Sequence, residues 1–286
     1  MSLSIILPAR NEAEGLAALL PRLRARFPDA ELIVADDGSS DATAAVAAAY
    51  GARVLSSPYP MGNGAAIKRG ARAASGETLV FLDADGQHPP EAIPELLARL
   101  EAGYDMAVGA RIRGGQASAG RSLANRLYNR LASYVTGHPI LDLTSGFRAV
   151  RAEKFREFLH LLPNGFSYPT TITMAFLRSA YPVAYVPVGF RPRMGSTPSH
   201  IRPLRDGLRF LAIIFKIATL YAPLRVFAPV AALFFLTGVG YYLYTFLTQG
   251  RFTNMSLLLL SASVIVFLIG LVSEQITALT YARARP

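Results

Sequence analysis

The first 200 residues alternate short apolar runs with longer segments in which apolar residues recur at helical spacing. The runs predict buried strands and the spaced segments predict helices. The predicted strands are residues 3–7, 31–35, 53–55, 78–82 and 105–109, and the predicted helices are residues 12–26, 41–50, 63–74 and 90–100. Continuous apolar strands separated by helices indicate an α/β domain with a parallel sheet covered on both faces.

The pattern changes near the end of the chain, which becomes strongly apolar. Residues 226–250 contain no charged residue, and residues 252–273 form a second uncharged run. About 20 apolar residues cross the hydrocarbon core of a bilayer, so the two runs predict a transmembrane hairpin with spans at about 226–248 and 255–277. The alternative is a pair of buried helices in a soluble protein, where two adjacent runs of this length are rare.

Two residues of the hairpin depart from its apolar pattern. Pro229 is expected in the first turn of the first span, where its missing N–H costs little. Glu274 lies at the second span, where a carboxylate needs a partner, and a structural pairing with an interfacial arginine is expected. The hairpin can also associate with a second copy, so a homo-oligomer is an open alternative to a monomer.

The segment before the hairpin is amphipathic. Residues 204–224 combine spaced apolar residues with Arg205, Arg209 and Lys216, which predicts interfacial helices; a helix packed on the globular domain is the alternative. We therefore divide the chain into an α/β domain of residues 1–203, interfacial helices at 204–224 and a hairpin with a short tail at 225–286.

Charge and composition narrow the class of protein. The chain of 286 residues is 52% hydrophobic, carries 17% charged residues and has a net charge of +10. No aromatic or helical nucleic-acid readout pattern accompanies the basic residues, so nucleic acid is not expected as a partner. The sequence has no Cys, which excludes disulfides, thiolate zinc sites and cysteine nucleophiles.

Lysine and arginine flank the two spans unequally. Five basic residues precede the first span and two follow the second, whereas the connecting turn has only Arg251. The positive-inside rule therefore predicts a multi-pass protein of the cell membrane with both termini cytoplasmic. The N-terminus lacks the pattern of a signal peptide, so the α/β domain of residues 1–203 is also expected in the cytoplasm.

Polar residues follow four of the predicted strands, at residues 8–12, 36–41, 83–88 and 109–111. Ligands of parallel sheets bind at the carboxyl ends of the strands, so these four loops predict a common site. Helix capping is an equally good interpretation of Asp36 and Asp37 when they are considered alone.

Asp83 and Asp85 give the sharpest chemical signal. They are one residue apart after an apolar strand, so both carboxylates can reach one hard cation, with Gln87 as a further oxygen ligand. Mg²⁺ or Mn²⁺ is expected, because both prefer oxygen ligands and share coordination with substrate phosphates. His88 is interpreted as a polar loop residue without a role.

Four stretches of the sequence carry recognisable motifs. They are Pro8-Ala9-Arg10-Asn11-Glu12, Ile33-Val34-Ala35-Asp36-Asp37-Gly38-Ser39-Ser40-Asp41, Phe81-Leu82-Asp83-Ala84-Asp85-Gly86-Gln87-His88-Pro89-Pro90-Glu91 and Thr144-Ser145-Gly146-Phe147-Arg148-Ala149. Together they resemble the motifs of family 2 glycosyltransferases, and more narrowly those of the polyprenyl-phosphate glycosyltransferases. The resemblance covers about residues 3–210, and the apolar tail is similar in design. It is specific for the family but not for the sugar.

The resemblance implies a fold and a reaction. The fold is a GT-A (Rossmann-like) domain followed by interfacial helices and a two-helix transmembrane hairpin. The reaction is the inverting transfer of a hexose from a nucleoside diphosphate sugar, of the GDP-mannose or UDP-glucose type, to polyprenyl or dolichyl phosphate. The phosphate acceptor is already ionised at neutral pH, so the absence of an obvious histidine base is expected.

The resemblance also implies roles for individual residues. Donor-nucleotide binding is implied for Pro8, Arg10, Glu12, Ala35, Asp37, Asp83, Ala84, Arg191 and Arg193. Metal binding is implied for Asp83, Asp85 and Gln87, and lipid-phosphate binding for Arg111, Arg121 and Asn125. Catalytic roles are implied for Asp85 and Arg111. Arg121 and Asn125 are four residues apart and share a face of a predicted helix, for which a solvated face is the alternative.

Two other functions compete with this one. A processive polysaccharide synthase of the same fold typically has a Gln-x-x-Arg-Trp segment, and this sequence contains no Trp. A membrane-anchored, non-catalytic nucleotide-sugar-binding partner would tolerate loss of the motif acids. The presence of Asp83, Asp85 and Arg111 favours an enzyme.

Overall fold

A mixed sheet forms the centre of the protein. The computed structural model describes residues 2–111, 119–165, 168–190, 219 and 221–282, and for residues 119–125, 127 and 280–282 it describes the backbone alone. Within these ranges the strand order is β3-β2-β1-β4-β6-β5-β7. The strands are β1 (Leu3–Ala9), β2 (Glu31–Asp36), β3 (Arg53–Ser56), β4 (Thr78–Phe81), β5 (Met106–Arg111), β6 (Arg148–Arg151) and β7 (Val183–Val188). The five predicted strands are confirmed to within two residues at either end, and β6 and β7 are additional.

The five predicted strands all run in the same direction, and one additional strand makes the sheet mixed. β6 runs antiparallel to both of its neighbours, β4 and β5, with Val80 opposite Ala149 and Val108 opposite Arg148. β6 has four residues and begins and ends with arginine, so no apolar run marks it in the sequence. The other strand pairs are parallel, and the carboxyl ends of six strands therefore lie at one edge.

Helices cover the sheet between the strands. They are α1 (Ala13–Arg26), α2 (Thr43–Ala49), α3 (Asn63–Ala73), α4 (Ile93–Glu101), α5 (Ala119–Thr136), α6 (Ala152–Glu157) and α7 (Tyr168–Arg178). The four predicted helices are confirmed, with one change in shape. The segment that opens with Pro90 begins as a 3₁₀ turn, Pro90–Ala92, before α4 continues it.

The packing of α1 on β1 shows how the sheet edge is held. Leu16 and Leu20 of α1 share one helix face and are completely buried, as are Ile5 and Leu7 of β1. Full burial of each such side chain stabilises the fold by about 1.5–3 kcal/mol. The loops that leave the carboxyl ends of β1 and β4 therefore start from a rigid core.

The contacts divide the chain into two units. One comprises residues 1–130 and 138–200 and contains the sheet; the other comprises residues 131–137 and 201–286 and contains the apolar helices. The interfacial helices were predicted at residues 204–224, of which 204–218 and 220 lie outside the described residues. The predicted domain boundaries at 203 and 224 stay predictions.

The second unit contains the predicted helical hairpin. Its two helices are Pro223–Gln249 and Asn254–Ala282, and of the described helices these two are long and apolar enough to cross a membrane. Leu236 is 67% exposed and Leu247 is 81% exposed, whereas core helices of soluble proteins bury such residues. Gly250, with a φ of 63°, ends the first helix, and its N–H donates to the carbonyl of Phe246.

Pro229 occupies a different helical position from the predicted one. The first hairpin helix already begins at Pro223, so Pro229 lies beyond the first turn and the prediction is wrong. A proline removes the N–H that would bond four residues back, here the carbonyl of Arg225. The Tyr134 hydroxyl donates to that carbonyl at 3.4 Å, and the Arg225 guanidinium donates to the carbonyls of Tyr134 and Val135 at 2.9 and 3.0 Å.

Glu274 has a backbone partner. Its Oε2 accepts the N–H of Leu224 at 3.2 Å, in the first turn of the first hairpin helix. A carboxylate is stabilised at a helix N-terminus, where N–H groups lack intrahelical acceptors. The expected pairing with an interfacial arginine stays a prediction.

Candidate active site

A pocket lies at the carboxyl edge of the sheet, where the four polar loops were predicted to meet. Its volume is about 340 Å³, and its lining comes from the loops after β1, β2 and β4 and from the start of α3. The lining residues are Pro8, Ala9, Arg10, Glu12, Asp37, Gly62, Asn63, Ala66, Asp83, Ala84 and Asp85. Ala35, predicted with this group, is completely buried within β2 and is not among them. Ala9, Gly62, Asn63 and Ala66 were missed. Alanine and glycine carry no chemical signal in a sequence, and Asn63 begins a helix and does not directly follow a strand.

Hydrogen bonds join the loop after β1 to the loop after β2. The N–H of Asn11 donates to Ser39 Oγ at 2.9 Å, and Asn11 Oδ1 accepts the N–H of Ser40 at 2.8 Å. Asn11 has a φ of 55°, a left-handed conformation that asparagine adopts more readily than most residues. These bonds fix the wall of the pocket that carries Arg10 and Glu12.

Asp37 shapes the pocket through hydrogen bonds to backbone N–H groups. Its two carboxylate oxygens accept the N–H groups of Met61 and Gly62 at 2.7 and 2.8 Å. Hydrogen bonds to charged groups contribute about 1.5–3 kcal/mol each, so Asp37 holds the 61–62 turn firmly at the pocket. Asp36 instead accepts the N–H of Ser39 at 3.0 Å; this bond lies within the loop and does not cap α2, which begins only at Thr43. The nucleoside contact implied for Asp37 stays a prediction.

Asp83 and Asp85 both lie at the pocket, and both are partly exposed. The loop between β4 and the 3₁₀ turn is locally ordered by Asp85, whose Oδ1 accepts the N–H of Gln87 at 3.1 Å. Gly86 has a φ of 73°, which reverses the chain between them. Gln87 does not belong to the lining of the pocket, so its role as a third ligand stays a prediction.

Two glycines allow other elements to approach this loop closely. A Cβ on Gly15 of α1 would lie 2.2 Å from the carbonyl oxygen of Ala84. A Cβ on Gly146 would lie 3.3 Å from each carboxylate oxygen of Asp83. The loop of residues 83–88, called the acidic loop below, is therefore packed from both sides. A side chain at either glycine would displace atoms of this loop.

The donor set fits a hard divalent cation that is shared with a substrate. Within the described residues no group of three or more His, Asp or Glu side chains is placed to hold a metal by itself. Two carboxylates at an open pocket are the usual protein contribution to an Mg²⁺ site whose remaining ligands are water and substrate phosphates. Asp83 and Asp85 thus suit Mg²⁺ or Mn²⁺ that arrives with a diphosphate.

His88 differs most from its sequence interpretation. It lies in the loop after β4, as interpreted, but it is only 2% exposed and packs within the domain. Its Nδ1 accepts the backbone N–H of Asp83 at 2.9 Å, and its Nε2 lies 3.7 Å from Asp83 Oδ2. Burial lowers the pKa of His88 to about 4, against the opposing effect of Asp85, so the imidazole is neutral at physiological pH.

Arg111 ends β5 and is held beside the acidic loop. Its N–H donates to Asp142 Oδ2 at 3.3 Å, and its guanidinium donates to Thr144 Oγ1 at 3.3 Å. The guanidinium also lies over the Phe190 ring, 5.1 Å from the centroid. One third of its side chain is exposed, so a fixed but accessible positive charge faces solvent here.

Arg148 is a completely buried cation that sequence reasoning missed. Its guanidinium donates to the carbonyl of Ser145, to the carbonyl of Pro169 at 3.2 Å and to Thr173 Oγ1 at 3.3 Å. Burial lowers the pKa of Arg148, although nearby tyrosines and carboxylates oppose the effect. Arg148 thereby fixes the turn in which Gly146 approaches Asp83. Its presence in the quoted motif of residues 144–149 is the sequence signal that could have identified it.

The remaining predicted residues are placed less completely. Arg121 and Asn125 lie on α5, where the backbone alone is described, and Arg191 and Arg193 lie outside the described residues. Lys68 of α3 donates to the carbonyl of Leu162 at 3.1 Å and to Asn164.

Comparison with known proteins identifies relatives over most of the chain. The family described as Glycosyl transferase family 2 matches residues 4–159, and the family described as GtrB C-terminal hairpin matches residues 222–279. The chain is 30% identical over 197 residues to the dolichyl-phosphate hexose transferase of Haloferax volcanii, which covers 68% of this chain and 85% of the relative. It is 29% identical over 204 residues to the polyprenol monophosphomannose synthase of Mycolicibacterium smegmatis, which covers 66% and 77%.

A solved structure supports the fold and the metal chemistry. Glucosyl-3-phosphoglycerate synthase from Mycobacterium tuberculosis, in complex with Mn²⁺, UDP and phosphoglyceric acid, has a TM-score of 0.60 and 26% identity. The similarity covers 76% of this chain and 78% of that chain. The same enzyme has also been crystallised with Mg²⁺ and UDP. The family 2 match spans more than half of the sequence and coincides with the domain that carries the pocket. The predicted GT-A fold and family are thus confirmed, and the chain belongs to glycosyltransferase family 2.

Proposed function

We propose that this chain transfers a hexose from a nucleoside diphosphate sugar to a polyprenyl or dolichyl phosphate, with inversion at the anomeric carbon. The observation that carries the proposal is the pair Asp83 and Asp85 at an open 340 Å³ pocket, in a chain that also has an exposed apolar hairpin. The pocket suits a soluble nucleotide sugar. The hairpin suits an acceptor that does not leave the bilayer, and the names of the relatives given above describe such acceptors.

The reaction needs no strong base. An oxygen of the acceptor phosphate, already ionised near neutral pH, forms a bond with the anomeric carbon. The bond from that carbon to the diphosphate oxygen breaks, and the nucleoside diphosphate leaves with both electrons. The residues therefore act by positioning the reactants and by balancing the charge of the leaving group.

Each polar group of the site has a part in this scheme. Asp83 and Asp85 would hold Mg²⁺ or Mn²⁺, which supplies Lewis-acid stabilisation of the departing diphosphate. Arg10, Glu12 and Asp37 shape the nucleotide side of the pocket. Arg111 is fixed by Asp142 and Thr144 and does not line the pocket; we propose that it supplies positive charge between the donor and acceptor phosphates.

The remaining roles rest on sequence motifs. We assign the lipid phosphate to Arg121 and Asn125 on α5, and the diphosphate also to Arg191 and Arg193. GDP-mannose and UDP-glucose are the two donors we propose to compare first.

The catalytic assignment is tested with purified full-length protein in detergent. We expect sugar transfer to a short polyprenyl phosphate that is lost when EDTA is added and restored by Mg²⁺ or Mn²⁺. Asp85→Asn should lose at least ~10²-fold in rate, since it removes a metal-binding charge. Asp29→Asn, at an exposed carboxylate outside the pocket, is the matched control. Equal rates for Asp85→Asn and Asp29→Asn would reject the proposal.

We also propose that the catalytic domain and both termini face the cytoplasm. The sequence has no Cys, so single introduced thiols report topology without background. Arg251→Cys in the turn should react with a membrane-impermeant maleimide in intact cells, and Asp29→Cys only after the membrane is opened. The opposite labelling pattern would reverse the orientation.

A further inference from the structure

His88 lies at the end of the loop that carries Asp83 and Asp85, and Phe190 separates it from the guanidinium of Arg111. Its ring is stacked on Phe147, with centroids 5.1 Å apart and an interplanar angle of 14°. It meets the edge of Phe190 at 4.9 Å and 71°. Phe190 in turn lies under the Arg111 guanidinium. One buried imidazole therefore contacts both the aromatic support of Arg111 and the loop of Asp83.

The hydrogen bond to Asp83 fixes the orientation of the imidazole. Nδ1 accepts the Asp83 N–H at 2.9 Å, so the proton of the neutral ring is on Nε2. Nε2–H then lies on the side of the Asp83 carboxylate, 3.7 Å from Oδ2. The backbone and the carboxylate of Asp83 are thus both adjacent to the same ring.

Asp83 has little freedom on its opposite side. Gly146 leaves space for the carboxylate, and even a methyl group there would come within 3.3 Å of both oxygens. Phe147, the next residue, is completely buried beneath the imidazole. The turn at Gly146 and the ring of His88 therefore set the direction of the Asp83 side chain together.

We propose that His88 is a positioning residue. Its imidazole holds Asp83 in the orientation that binds a divalent cation together with the donor diphosphate. It also keeps the loop of Asp83 at a fixed position relative to Arg111. This inference rests on the proposed function. Partners of this kind, which orient a ligand side chain, typically change metal affinity by about 10–100-fold when they are removed.

Two substitutions separate the hydrogen bond from the packing. His88→Phe retains an aromatic ring between Phe147 and Phe190 but removes the acceptor for the Asp83 N–H. His88→Asn retains an acceptor near the position of Nδ1 but removes the ring. His160→Phe, at an exposed histidine, is the matched control.

The experiment measures Mn²⁺ binding without turnover. Full-length protein in detergent is titrated with Mn²⁺ in the presence of UDP or GDP, free Mn²⁺ is followed by electron paramagnetic resonance, and thermal melting confirms folding. We expect His88→Phe to weaken Mn²⁺ binding about 10–100-fold, His88→Asn to remain within a few-fold of wild type, and His160→Phe to match wild type.

The outcomes distinguish this inference from the proposed function. Tight binding by folded His88→Phe, or equal weakening by Phe and Asn, would overturn the role of His88, provided that Asp85→Asn abolishes binding. If wild-type protein binds no Mn²⁺ with either nucleotide, the proposed function fails and this inference fails with it. If His88→Phe does not fold, His88→Leu replaces it, since Leu and Asn have similar size and differ in the acceptor.

Discussion

Substitution of Gly15 by alanine perturbs the candidate site from outside the pocket. Gly15 lies in the first turn of α1, and the added Cβ would be 2.2 Å from the carbonyl oxygen of Ala84 and 3.5 Å from the Cα of Asp85. Ordinary contact begins near 3.4 Å, so the helix and the acidic loop must move apart by about 1 Å. The displaced atoms are backbone, which cannot escape by changing rotamer.

The magnitude follows from two opposing effects. Overpacking of this kind costs about 1–3 kcal/mol, while alanine favours a helix over glycine by up to about 1 kcal/mol. Subtracting the full helix gain, we expect a net loss of about 0–2 kcal/mol in the free energy of unfolding. Misplacement of a reacting group by about 1 Å can reduce a rate ~10²-fold. We therefore expect a large loss of sugar transfer from a protein that is still folded.

The assay compares initial rates of lipid-linked sugar formation with thermal melting of the same preparations. Gly240→Ala is the matched control, because Gly240 is an exposed helical glycine with no atom within 4 Å of the added Cβ. Gly240→Ala should transfer sugar at the wild-type rate. A folded Gly15→Ala protein with a rate within about threefold of wild type would refute the reasoning, since the ~10²-fold loss would be absent.

Three further changes test other parts of the structure. Gly146→Ala should weaken Mn²⁺ binding in the titration described above, because its Cβ crowds both oxygens of Asp83; unchanged affinity would contradict this packing. Glu274→Leu should lower the melting temperature more than Glu274→Gln, since only Gln retains an acceptor for the Leu224 N–H, and equal shifts would show that the bond is unimportant. Burial alone would raise the pKa of Glu31, but its hydrogen bonds outweigh this effect and lower the pKa below the ordinary value of 4.5. The ionised carboxylate therefore stabilises the fold above pH 4.5, and this stabilisation is lost as the pH falls below that value. Glu31→Gln should remove this part of the pH dependence of the melting temperature.

The sequence was most informative where local pattern and fold agree. The five strands are continuous apolar runs and the four helices between them have helical spacing. Three of the four predicted polar loops, those after β1, β2 and β4, line one pocket, whereas residues 109–111 do not. The hairpin was also predictable, since its length and apolarity depend on composition alone. These features need no knowledge of which distant residues touch.

Other features depend on tertiary contacts and were not predictable. β6 is a four-residue strand bounded by arginines. The burial of Arg148 depends on carbonyls from separate segments, which accept hydrogen bonds from its guanidinium. His88 is polar in type, but it is enclosed by Phe147 and Phe190, which are distant in sequence. Pro229 was misplaced because Pro223, and not the end of the charged segment, begins the helix.

The most direct test of the central claim is the identity of the product. Purified full-length protein is incubated with polyprenyl phosphate and either GDP-mannose or UDP-glucose in the presence of Mg²⁺ or Mn²⁺, and the lipid fraction is analysed by mass spectrometry. The account predicts a polyprenyl phosphate that carries a single hexose, formed with at least one donor and absent when Asp85 is replaced by asparagine. A polymer of several sugars, or no lipid-linked sugar with either donor, would contradict it.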